Sequence, residues 1–324
     1  MEPAGGQGGS AGQAIRIERM LPLYEAKMIH QYDHRWATYD GSVDGRGQPA
    51  ARDVTTAEKR DADFVALPRY WVPADEVAQV LGTPPSAEVD VAPNRHLYEA
   101  GWRDITNSTN ERTAVAASFP LAGVGNNLPI FTTGGSPFLI AALSSMAYDF
   151  GARLKIGGSH LNFFLFEQIP IPTPESFAST TPFTAPLSLA DWLQPRILEL
   201  TYTAWDMAPF AEDLDDLDPI TGRVNPPFIW DDDRRGLLRA EIDAAFFHLY
   251  GISRDDVDYI LDTFPIVRKH DEQRFGEYRT KAHILGCYDA MARAIETPYT
   301  SPLDPVPGAG QRHEHAASTP QGIR

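Results

Sequence analysis

Cysteine is nearly missing from this chain: Cys287 is the only one in 324 residues. That excludes a disulfide framework and any cysteine-based zinc finger. Positive charge is also scarce, with 28 Lys and Arg against 44 Asp and Glu, a formal net charge of −16. A generally basic nucleic-acid coat is thereby excluded, whereas a local positive face is not, because phosphates respond to the nearby patch. No apolar run approaches the roughly 20 residues needed to cross a bilayer. The Gly-, Gln- and Ser-rich N-terminus has no apolar signal core. These absences lead us to expect a soluble, cytoplasmic protein of a reducing compartment, without a membrane partner. What is present is a hydrophobic content of 43% with 10% aromatics, enough to bury a real core and to exclude wholesale disorder.

The acidity is uneven. Residues 161–233 carry two basic and thirteen acidic side chains, densest at Glu212–Asp218 and Asp231–Asp233, whereas residues 101–160 carry four and three. A DNA-facing surface is therefore expected outside the acidic block, with the nearly neutral 101–160 stretch the first place to look. Both ends read as disordered tails, over residues 1–20 and 298–324, because neither has periodic apolar positions. Pro170, Pro172 and Pro174, followed by a Ser/Thr/Pro stretch to Pro186, mark a boundary near residue 175.

Between these markers, Ala66–Val72 and Thr113–Phe119 read as short buried strands, and Leu161–Ile169 as a buried strand or short edge element. Asp75–Leu81 reads as a short helix. Ser136 and Pro137 open a longer one running to Phe150, with serine as N-cap and proline at the first helical position. Leu187–Thr201, Asp231–Leu249, Ser253–Leu261 and Tyr278–Ile295 supply further helices. The expected fold is α+β: a junction segment at 21–60, a mixed domain at 61–175, a Pro-rich acidic connector with one helix at 176–230, and a helical unit at 231–297.

Several motifs suggest chemistry without the context that chemistry needs. Asn225-Pro226-Pro227-Phe228 matches the loop with which amino-methylating DNA enzymes hold a flipped base. Such a loop needs a buried strand leading into it and a Gly-rich strand–turn–helix elsewhere for S-adenosylmethionine. The preceding Asp218–Val224 reads as a turn. Neither Gly123–Gly125, Gly134-Gly135 nor Gly157-Gly158 follows a strand and opens a helix, so a rigid linker is the favoured reading. His30 and His34, spaced i, i+4, lack a third metal ligand nearby. Glu25-Ala26-Lys27 lacks the upstream Asp of a nuclease site, and Ser145 and Ser159 lack a nucleophile elbow. Cys287 reads as a buried small residue. No catalytic, cofactor-binding or metal-binding residue is expected in this chain.

One cluster points elsewhere. Arg103, Asn107, Asn110 and Arg112 precede an apolar strand, and Arg and Asn are the side chains that pair bidentately with guanine and adenine edges. Thr106, Ser108 and Thr109 have the chemistry to reach phosphates. A structural Asn/Ser/Thr-rich turn with an Arg–Asp pair explains the same composition.

Five segments carry a resemblance: Leu23–Met28 running into His30–Arg35, Pro68–Val72, Arg103–Thr113, Lys155–Pro172, and Tyr259–Pro265 leading to Gly276–Thr280. Together they span about residues 21–295. In that order they resemble the C-terminal part of large adenine-specific DNA methyltransferases, both the single-chain type IIG and IIL restriction-modification enzymes and the phage-defence methylases of BREX and DISARM systems. Ala26 stands where that family usually has glycine, and the family's cofactor-binding and catalytic core is absent from this sequence.

The resemblance implies a target-recognition domain with a helical support. It implies double-stranded DNA as partner, a separate or missing methyltransferase core as the second partner, and S-adenosylmethionine as a cofactor only of the complete enzyme. On this reading the chain alone is inactive. Arg103, Asn107, Asn110, Arg112 and Thr113 would meet DNA, with Lys155, Ser159, His160 and Asn162 on a second loop, and Lys27, His34 and Arg35 near the junction with the core. The alternative is an interaction or remnant fragment that docks on a separate methyltransferase subunit without touching DNA.

Overall fold

A computed structural model of the chain describes residues 18–81, 97–131 and 136–314; Gly134-Gly135 and most of the expected N-terminal tail lie outside them. The architecture is α+β, with short strands in the first 125 residues and helices dominating the rest. β1 (Met20–Tyr24) is the centre of a three-stranded sheet. It runs antiparallel to β4 (Tyr70–Pro73), with Leu23 opposite Tyr70, and parallel to β7 (Gly123–Val124). β2 (Ala37–Thr38) pairs with β3 (Arg52–Asp53), and β5 (Tyr98–Trp102) with β6 (Ala116–Pro120). Within the 21–60 segment, β1 joins strands from elsewhere in the chain, whereas β2 and β3 pair only with each other.

Short helices α1 (Thr56–Lys59) and α2 (Ala74–Val80) precede α3 (Pro137–Ser144) and α4 (Met146–Lys155). The single helix expected over this last stretch is two, because Ser145 leaves helical geometry and its Oγ accepts a hydrogen bond from the Tyr148 N–H. The break therefore supplies the second helix with its N-cap. The expected strand at Leu161–Ile169 is also wrong. Its centre is α5 (Phe163–Phe166), capped by Asn162, and Phe163 and Phe166 pack on Trp102 rather than alternating across a sheet.

After α6 (Pro174–Ala178) come α7 (Leu189–Thr201), α8 (Ala208–Asp213), α9 (Asp232–Leu249), α10 (Arg254–Asp262), α11 (Pro265–Phe275) and α12 (Arg279–Ala292). α11 was not anticipated; it is a largely polar helix with only Val267 fully buried, so it carries no strong apolar period.

One hydrophobic core runs through Trp102, Ile140, Leu193, Leu238, Phe246 and Ile284. The expected boundary near residue 175 therefore does not separate two cores. A smaller cluster lies under the three-stranded sheet around Tyr24, Met28 and Phe119. The expected C-terminal tail also differs. Up to residue 314 it is packed: Leu303 is buried, Tyr299 donates to Glu241, and Arg312 forms a bridge with Phe228 and an ion pair with Asp216.

Candidate functional site

Asp149 on α4 is fully buried and organises the 103–113 loop. Its carboxylate accepts hydrogen bonds from Arg112 Nε at 2.8 Å and from the Thr113 and Ala114 N–H groups at 2.8 and 2.7 Å. Arg112 also donates to the Ser144 carbonyl. One helical turn on, Arg153 donates to the carbonyls of Ser108, Asn110 and Glu111, and its guanidinium lies 4.1 Å from the centre of the Phe264 ring. The loop's backbone is thus tied down from beneath, and its short polar side chains face outward.

On that outer side, Asn107, Ser108, Thr109 and Asn110 are all exposed. Asn107 Oδ1 accepts from the Thr109 N–H and hydroxyl, which fixes the turn, and leaves its amide nitrogen outward. A second loop lies alongside. The Thr106 N–H donates to the Ser159 carbonyl, Ile105 forms a bridge with His160, and His160 Nδ1 lies 2.6 Å from Asp104. Asn162 caps α5 and Lys155 stands exposed at the end of α4. Five of the expected residues, Asn107, Asn110, Ser159, His160 and Asn162, therefore lie on two adjoining loops, while Lys155 reaches Gln168.

The others do not join them. Arg112 and Thr113 are buried in the Asp149 network, so neither presents a free group to DNA. Arg103 turns inward to the Ile29 carbonyl, and burial pushes its pKa down to about 10. His34 is buried with Nε2 at 2.9 Å from Asp206. Arg35 is wholly buried, and its terminal nitrogens donate to the carbonyls of Lys59, Asp61, Phe64 and Thr203. These five side chains are corrected from contacts to internal struts. For the three arginines the reason is that a buried charge is tolerated only when hydrogen-bonded or paired, and each has found partners inside, while the polar groups of Thr113 and His34 are satisfied by internal hydrogen bonds. Lys27 remains exposed on the turn after β1, beside Glu25 and Tyr39.

The Asn225–Phe228 loop is closed off. Asn225 donates to Asp216, its carbonyl accepts from Tyr202, the Pro226 carbonyl accepts from Arg312, and Phe228 is buried. His30 and His34 also have separate surroundings, since His30 stacks on Trp36 at 4.3 Å. Among the described residues no group of three His, Cys, Asp or Glu side chains is arranged to hold a metal.

A cleft of about 570 Å³, which sequence reasoning missed, adjoins the loop. Its walls come from the His30–Asp33 turn, α9, α11 and α12, and Glu111 at the loop's end reaches His270 of α11 at 3.2 Å. No sequence signal marks it, because its residues are drawn from segments more than two hundred positions apart.

No family model, curated protein or solved structure matches this chain.

Proposed function

We propose that this chain is the DNA sequence-recognition part of a site-specific adenine-N6 DNA methyltransferase and is not itself catalytic. The observation that carries this reading is the pair of adjacent loops, 107–110, whose backbone Arg153 anchors, and 159–162, held by the Thr106 N–H, which present Asn, Ser, Thr and His side chains outward. Pre-anchored polar side chains suit base-edge reading, since less conformational entropy is lost when they bind. The resemblance of segments 103–113 and 155–172 to target-recognition regions supports the same assignment. The duplex would be held here while a separate core, using S-adenosylmethionine, methylates the flipped adenine.

A random-duplex selection with the purified chain tests this. The expected result is an enriched short motif whose preference is relaxed in Asn110→Ala, at nearly unchanged thermal stability because that site is exposed, and in Asn107→Ala, which also loses the two hydrogen bonds from Thr109 that fix the turn. Enrichment of no motif by the wild-type chain at any salt concentration would overturn the reading. It would favour instead a fragment that docks on a methyltransferase through its acidic 161–233 stretch.

A further inference from the structure

The cleft beside the loops has an electrostatic imbalance at one wall. Five cations line it, and four are engaged. Lys59 pairs with Asp33, Arg235 donates to the Leu200 and Tyr32 carbonyls, Arg274 lies 3.5 Å from Asp232, and Arg279 lies 2.7 Å from Asp233. Arg239 is the exception. It is exposed, and among the described residues it forms neither a hydrogen bond nor an ion pair. The carboxylates are mostly taken as well: Glu111 by His270 and Asp271 by the Thr280 N–H, which leaves exposed Asp53 on β3.

The surroundings of Arg239 carry charge of both signs: the buried Asp243 lies one helical turn further along α9, and Arg239 favours its charged form, whereas other neighbours are positive. Arg235 lies one helical turn away on α9; burial pushes it down to about 9, and Arg239 adds to that push against the opposing Asp33. Burial holds His30 well below its ordinary range, and Arg103, Arg239 and Arg112 all act in the same direction. An anion placed here would relieve several repulsions at once. Gly236, between the two arginines, also lines the cleft, and a Cβ there would meet nothing within 4 Å. Neighbouring protein atoms therefore do not require a glycine, although in mid-helix it costs roughly 0.5–1 kcal/mol relative to alanine. A ligand approaching the helix backbone would make use of that bare surface.

We propose that this cleft binds a phosphate group, with Arg239 as its direct ligand. The planar guanidinium offers two parallel donors to a pair of phosphate oxygens. A phosphodiester of DNA lying across the 106–110 loop and the phosphate of a small molecule offer the same chemistry, and experiment separates them.

The test is titration of the full chain with inorganic phosphate at constant ionic strength, with a fluorescent duplex in parallel. Wild-type protein is expected to bind inorganic phosphate, and Arg239→Ala and Arg239→Gln to lose at least tenfold in affinity. Arg254→Ala, on α10 and paired with Asp289 away from the cleft, should retain it. If the phosphate belongs to DNA, which rests on the function proposed above, Arg239→Ala also lowers the slope of log affinity against log salt by about one. An unchanged duplex slope with lost phosphate binding assigns the site to a small phosphorylated ligand. Failure of every form to bind duplex counts against the DNA reading and leaves the phosphate arm intact. If Arg239→Ala alters neither phosphate affinity nor the duplex slope, the cleft is not a phosphate site.

Discussion

Arg112 and Arg239 show what surroundings do to one side-chain type. The first has its Nε on Asp149 and a terminal nitrogen on the Ser144 carbonyl, deep beneath the loop. The second stands unpaired at a cleft. Truncating Arg112 leaves the Asp149 carboxylate buried with part of its compensation gone. Removing one partner of a buried pair typically costs about 3–5 kcal/mol. Urea denaturation of Arg112→Ala is expected to show a loss in that range. Asp149→Ala should cost a similar amount, and the double variant less than the two losses together, because the charges share one network. A loss below about 1 kcal/mol, accompanied by altered base preference, would restore Arg112 to the reading surface.

At the scale of the element, β5 is informative because all five of its residues are buried. Strand alternation sends neighbouring side chains to opposite faces, so a strand covered on both faces has no solvent side for Glu99. Burial pushes the Glu99 carboxyl up to about 7 from an ordinary 4.5. The folded state therefore keeps a proton that the unfolded chain releases at lower pH. Stability from this group is fully present below about pH 4.5 and is lost as pH rises through 7. Glu99→Gln should match wild type near pH 4.5 and exceed it by about 1–3 kcal/mol at pH 8, as read by urea denaturation at the two pH values. A constant difference between the two pH values would show that Glu99 does not titrate in this range. In the same strand, a Cβ on Gly101 would collide with the Pro129 carbonyl, so only glycine fits that crossing.

At the scale of the whole molecule, the last described residues act as a strap. Tyr299 reaches Glu241, the Gly308 N–H donates to Glu199, and Arg312 spans Asp216 and the Phe228 ring. The strap joins α7, α9 and the Asn225–Phe228 loop, elements that are distant in sequence. A chain ending at Thr297 is expected to lose about 3 kcal/mol or more, since it forfeits several part-buried hydrogen bonds and the burial of Leu303. Calorimetric unfolding of the truncated chain checks this; an unaltered midpoint would mean that the strap contributes nothing to stability.

Composition and spacing sufficed wherever short-range physics governs. Ser253 before Asp255 and Asp256 marks the start of α10, and the apolar face through Leu238, Ile242 and Phe246 marks α9. Cys287 is buried as its helical position indicates, and burial pushes its thiol up to about 12. The loop at 107–110 was legible too, because Asn, Ser and Thr favour turns wherever they cluster. Which charges face water, by contrast, follows from long-range packing. Arg35, His34 and Arg112 have the same composition whether they bind a ligand or brace a core, and their partners at Thr203, Asp206 and Asp149 lie 37 to 172 positions away. The cleft with Arg239 likewise exists only once α9, α11 and the His30–Asp33 turn meet. Local propensity acts over a few residues, whereas the exposure of a charge depends on every segment that packs around it.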